Sequence, residues 1–107
     1  MPDALPLDNK DALIAALREG RGVGAHLRKV RLEGADLSGV DLTEARLSGA
    51  KLAGANLSKA ILRGAFFDKA DLSGANLRGA DLEFAVLGAA DVFGADFTGA
   101  VLRRANL

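Results

Sequence analysis

The chain has no cysteine, tryptophan or tyrosine, and its 107 residues include one histidine and two prolines. Without cysteine there is no disulfide framework, no thiolate zinc site and no thiol nucleophile, which fits a reducing compartment. A single histidine gives no metal cluster; His26, with Arg28 beside it, reads as a surface residue. Neither sign of charge predominates, since fourteen Lys and Arg balance fourteen Asp and Glu. The general electrostatic case for an acidic partner is therefore absent, and direct nucleic-acid binding is not expected. No stretch approaches the length of a membrane span. The start, Met1-Pro2-Asp3, has neither the basic segment nor the apolar run of a signal peptide. A cytoplasmic location is the expectation.

What is present is a repeat of five residues that runs from Ala25 to Leu107 without insertion or deletion. Leucine stands at fourteen of the seventeen positions 27, 32, 37 and onward to 107, with Phe67, Val92 and Phe97 as the exceptions. Two residues earlier stands alanine, replaced only by Val30 and Val40. The residue between is often Asp or Asn, and glycine commonly follows two after the leucine, as in Ala35-Asp36-Leu37-Ser38-Gly39. On an α-helix, five residues turn by about 500°, which scatters the leucines over every side. On one flat strand, five is odd and the leucines alternate faces. Ala35 and Leu37 share a face only if the chain is extended between them, so a corner is needed every five residues. Glycine two after the leucine suits the third residue of a type II turn, where φ is positive.

This pattern resembles the pentapeptide repeat family over residues 25–107. The resemblance implies an all-β solenoid: a right-handed four-sided β-helix with twenty residues per coil, here about four coils and roughly 20 Å of stacked strands. The centre leucine and its alanine point inward and the other three residues outward. Residues twenty apart then stack, giving centre columns such as Leu27-Leu47-Phe67-Leu87-Leu107 and Leu37-Leu57-Leu77-Phe97. The corner through 34, 54, 74 and 94 is all glycine and is expected to be type II. The corner through Lys29, Gly49, Lys69 and Ala89 is expected to use another turn, because lysine resists positive φ.

Residues 1–24 form a separate N-terminal segment. Residues 1–7 read as an irregular lead. Asp8 is the expected cap of a helix over about 9–19, with Asp11 supporting its start and Gly20 stopping it. Leu13, Ile14 and Leu17 make an apolar stripe that either covers the open first coil or binds a partner. Gly20-Arg21-Gly22-Val23-Gly24 lacks the spacing of a phosphate loop and reads as a joint, with Val23 a candidate for a degenerate first repeat.

The outward residues carry the functional signal. Asp36, Asn56, Asn76 and Asp96 share one column, and Arg31, Lys51, Asp71 and Asp91 another; both read as turn-bonding and solvated rows. No nucleophile–base pair, metal cluster or cofactor loop is found, so no catalytic residue, cofactor or metal is assigned. All five phenylalanines follow residue 65. Outward-facing Ile61, Phe66, Phe84, Val86, Phe93 and Val101, with Leu102 and Leu107 at the C-terminal coil, are the interface candidates.

The expected function is that of a non-enzymatic structural and protein-interaction module, a rigid rod forming a homodimer through its C-terminal coil or its apolar patch, or meeting another protein. The alternative comes from the resemblance: some members of the family imitate duplex DNA in shape and charge, bind DNA gyrase and are linked to quinolone resistance. That reading asks for a long acidic rod, whereas this chain is neutral.

Overall fold

Parallel β-bridges tie each residue before a centre position to the residue twenty further on, from His26–Arg46 to Val86–Asn106 without a break. The computed structural model describes residues 4–107; the first three residues of the expected lead lie outside it. Each bridge uses the alternation of a strand. The Arg46 N–H donates to the Ala25 carbonyl at 2.8 Å, and the Leu27 N–H donates to the Arg46 carbonyl at 2.8 Å. A further bond comes from the turn, where the Gly34 N–H donates to the Ala53 carbonyl at 2.9 Å. The chain is therefore a β-solenoid in which the backbone groups of one coil are satisfied by the next. Its extents are 36 × 22 × 22 Å, N-terminal segment included.

Every corner is the same turn. The N–H three residues after each centre donates back to the centre carbonyl, as Ala35 does to Leu32 at 3.1 Å and Ala50 to Leu47 at 3.0 Å. Positive φ falls on the third residue of these turns and not on the second, which among hydrogen-bonded β-turns defines type II. The expectation of a different corner at 29, 49, 69 and 89 is overturned: Lys29, Gly49, Lys69 and Ala89 have φ of 61°, 68°, 62° and 61°. Stacking on the coil above and below sets the turn, and the local preference of lysine yields to it.

The core is a column of side chains on the axis. Leu27 to Leu87 at the centre positions are buried, together with the alanines and valines two before them from Val30 to Ala85, and Phe67 is accommodated among them without exposure. No polar or charged residue is buried among the described residues. Alanine is needed beside each leucine because the interior of so narrow a tube has no room for two large side chains per unit.

The N-terminal segment packs on this core. Helix α1 spans Lys10–Ala16 and runs into a π-helical turn, Leu17–Arg21, in which Gly20 takes φ of 92°. The cap is Asn9 rather than Asp8: its side chain accepts the Ala12 N–H at 3.0 Å. Helical backbone, α and then π, therefore runs over about the expected span and turns left-handed at Gly20, the expected stop, with Asp11 in the first turn. Leu13 and Leu17 are buried in the solenoid core and Ile14 packs at its edge. Gly22 stands at a centre position of the repeat, and the Ala25 N–H donates to its carbonyl at 3.0 Å. Val23 therefore lies in a first, degenerate turn, as the sequence suggested. Lys10 Nζ donates to the Glu33 carbonyl, and Arg18 NH1 to the carbonyls of Asp36 and Ser38, at 3.0 and 3.2 Å. No helix among the described residues is long and apolar enough to cross a membrane.

Candidate interaction surfaces

The outward polar residues serve their own turns first. Where Asp or Asn precedes the centre residue, its side chain accepts the N–H two residues on: Asp36 from Ser38 at 3.2 Å, Asp41 from Thr43 at 3.0 Å, Asn56 from Ser58 at 3.0 Å and Asp96 from Thr98 at 2.9 Å. Where that next residue is Ser or Thr, the hydroxyl donates to the same oxygen, as Ser58 does at 2.7 Å. These are Asx turns, which explains why the repeat favours Asp or Asn there. The Thr98 hydroxyl and N–H, helped by Arg78, hold the Asp96 carboxyl down at about 2. The Ser38 and Ser73 bonds likewise keep Asp36 and Asp71 below the usual carboxylate range, Lys51 adding to the second. At Asp81, partial burial opposes the charge, but Arg63 and the Glu83 N–H outweigh it and lower the carboxyl.

Among the described residues, three ion pairs engage acids of these columns: Arg18 with Asp36 at 3.8 Å, Arg63 with Asp81, and Arg78 with Asp96 at 3.1 Å. No group of three or more His, Cys, Asp or Glu able to hold a metal occurs among the described residues. His26 is exposed and heads its own column.

The apolar candidates divide into three places. Phe66 and Val86 are bridge partners in the column headed by His26 and Arg46. Ile61 and Val101 share the adjoining column, but Asp81 stands between them with its Arg63 pair, so the apolar surface is interrupted there. Phe84 lies at the corner between these columns, half exposed, with Arg104 over its ring. Phe93 is 86% exposed and belongs to another corner, in line with Glu33, Ala53 and Ser73; it is not part of this group.

The third place is the last coil. Val92, Leu102 and Leu107 occupy centre positions whose counterparts higher in the stack are buried, yet they are exposed here. With Leu87, Ala89, Ala90 and Phe97 they line an apolar depression of about 360 Å³. Val92 and Phe97 were legible only as core residues; that they line this depression follows from their place in the last units. The N–H groups of Val92, Phe97 and Leu102, which higher up would donate to the next coil, have no backbone acceptor among the described residues.

Eight copies of the pentapeptide repeats family match the chain, over residues 23–58, 41–79, 50–88 and 80–107. The chain belongs to the pentapeptide repeat family. Among solved members, this pentapeptide repeat protein is similar to HetL of the cyanobacterium Nostoc sp. strain PCC 7120, a protein involved in heterocyst differentiation regulation, at 44% identity and TM-score 0.74. That match covers 77% of this chain and 38% of HetL. It is also similar to alr5209 of the same cyanobacterium, at 33% identity and TM-score 0.72 over 94% of this chain and 78% of the other. The plasmid-mediated fluoroquinolone resistance protein QnrB1 matches at 30% identity and TM-score 0.72, over 78% of this chain and 41% of QnrB1. This pentapeptide repeat chain thus spans well under half the length of HetL and QnrB1. No curated protein sequence matches it.

Proposed function

We propose that the chain is a non-enzymatic, cytoplasmic protein-interaction module. It is a right-handed, four-sided β-helix of about four coils over residues 25–107, closed at one end by Leu13 and Leu17 of the N-terminal segment. It self-associates through its last coil or its apolar patch, and the last coil is the better supported of the two. The observation that carries this reading is the apolar depression lined by exposed Val92, Leu102 and Leu107, beside N–H groups that have no backbone acceptor among the described residues. Open strand edges and contiguous apolar surface both favour coverage by another chain. A two-fold contact would place the same depression on both partners and let N–H groups meet carbonyls across the axis. The 22 × 22 Å cross-section limits such a contact to roughly 1,000 Å² in total, at the lower end for a stable interface, so the dimer dissociates on dilution.

The test is absolute mass by light scattering at two concentrations, with refractive index for detection because the chain has no Trp or Tyr. A dimer that Leu102→Asp converts to monomer supports the reading. A monomer at both concentrations removes it, and a dimer indifferent to Leu102→Asp removes the last coil from it.

A second reading, binding to DNA gyrase as a duplex mimic, is favoured by the similarity to QnrB1. It ranks lower because net charge is zero and Asp36, Asp81 and Asp96 are each paired with an arginine. Inhibition of gyrase supercoiling at low protein concentration would reverse the order.

A further inference from the structure

One column of the solenoid lacks a side-chain acceptor at each of its first four positions, whereas each of the other three supplies one at two or more positions. At its first four positions, His26, Arg46, Phe66 and Val86 stand where Asp or Asn would receive the N–H two residues on. The N–H groups of Arg28, Ser48, Asp68 and Gly88 consequently have no protein acceptor among the described residues. In the first two coils the residues beside these N–H groups include three cations. Arg28, Lys29 and Arg46 are exposed, and none has an ion pair. The zero net charge of the chain conceals this: bases near Asp36, Asp81 and Asp96 are paired, and those along the His26 column are not.

Arg28, Arg46, Ser48, Phe66 and Asp68 line one groove of about 410 Å³. The single acid in it, Asp68, accepts the Ser48 hydroxyl at Oδ1 at 2.6 Å and is outnumbered there by Arg28 and Arg46. Next to Arg46 on the same column the surface changes character: Phe66 is 40% exposed and Val86 follows it. Donors and cations therefore occupy one half of the column and apolar side chains the other.

We propose that this groove docks an acidic segment of another protein. A carboxylate of that segment takes the place that Asp36 and Asp41 fill on their own columns. It accepts from the backbone N–H of Arg28 or Ser48 and pairs with the Arg28 and Arg46 guanidiniums. An apolar residue beside it rests on Phe66. A nucleic-acid phosphate would suit the same donors, but a phosphate backbone has nothing to set against Phe66 and Val86. The apolar half of the column is what selects a protein segment over a polyanion.

The probe is an array of short synthetic peptides combining Asp, Glu, Leu, Phe and Ser, with a short DNA duplex as competitor and the full chain as receptor. Binding is measured by fluorescence polarisation for wild type, Arg46→Glu and Phe66→Asp. Both positions are exposed, and thermal unfolding of each variant verifies the fold. The expected result is selection of peptides with Asp or Glu adjacent to Leu or Phe. Arg46→Glu and Phe66→Asp each weaken binding by about tenfold or more, and so does replacing the peptide acid by its amide. Absence of such selection, or binding unchanged by Arg46→Glu, overturns the proposal. Equal competition by the duplex, insensitive to Phe66→Asp, also overturns it and makes the column a phosphate-binding surface. Neither Arg46 nor Phe66 lines the depression of the last coil, so both variants keep the oligomeric state of wild type. The groove and the self-association surface can therefore fail independently.

Discussion

The Arg104 guanidinium lies 5.5 Å from the centroid of the Phe84 ring, one coil directly above the other at the same corner. Both residues hold left-handed backbone, with φ of 64° at Phe84 and 58° at Arg104. Neither is favoured there alone; the stack places them and the ring–cation contact recovers part of the cost. A double-mutant cycle of Phe84→Ala and Arg104→Ala, followed by chemical denaturation, should give a coupling of about 0.5–1 kcal/mol. Additive losses would mean that the contact contributes no stability.

Seven corners carry this backbone strain on residues other than glycine, and Ala89 is the plainest of them because its methyl group offers little contact in exchange. Ala89→Gly should stabilise the fold by about 1 kcal/mol, since glycine accepts positive φ without the Cβ clash. The reciprocal change, Gly94→Ala, should cost a similar amount. A Cβ at Gly94 would meet Gly74 at no closer than 3.8 Å, so strain and not crowding is what the measurement reads. Equal melting temperatures for wild type and Ala89→Gly would show that the corner relaxes around its residue.

Acid should weaken the fold through its Asx turns. The Asp96 carboxyl titrates at about 2 in the fold, against about 3.9 in an unfolded chain. Between these values the unfolded chain binds more protons, so stability rises with pH there. The contribution is complete above about pH 4 and is lost as pH falls through about 2. Asp96→Asn removes the titration and keeps an acceptor, as Asn56 and Asn76 do in the same column, where they receive the N–H groups of Ser58 and Arg78 at 3.0 Å each. Thermal unfolding across pH 2–4 should therefore fall less steeply for Asp96→Asn than for wild type. Identical slopes would mean that the Thr98 bonds do not favour the charged form.

The legible parts of this chain are those set by period and size. A repeat of five with leucine at its centre and alanine two before it admits few foldings, and the burial of Leu62 and Ala65 follows from it. The corners were less legible, because Lys29, Glu44 and Lys69 take a conformation that stacking imposes and their own preferences oppose. The Asp and Asn columns were legible as turn-bonding rows, and the bonds of Asp36, Asn56, Asn76 and Asp96 to the N–H two residues on bear this out. The choice of Asn9 over Asp8 as cap depends on where Leu13 and Leu17 must land on the core, a tertiary constraint. The His26 column was legible one residue at a time; its meaning as a row of missing acceptors needed the turns of the other columns for comparison.

Gly22 shows how the N-terminal segment replaces a repeat. It stands where the period calls for leucine, and the buried Leu17 of the π-helical turn packs beside it. Its φ of −90° is open to any residue, so backbone strain is not the reason for glycine. Space is: a Cβ would lie 2.5 Å from Leu42 Cδ2 and 3.0 Å from the Asp41 carbonyl oxygen. The first contact is with the end of a side chain and can yield; the second is with backbone that is bridged to Ile61 and cannot yield cheaply. Gly22→Ala should therefore cost roughly 1–3 kcal/mol. Adding Leu42→Ala should recover only the Leu42 part, leaving the double variant less stable than Leu42→Ala alone. If the double variant unfolds together with Leu42→Ala, the side chain was the whole obstacle. The first coil would then accept an ordinary repeat in place of the joint.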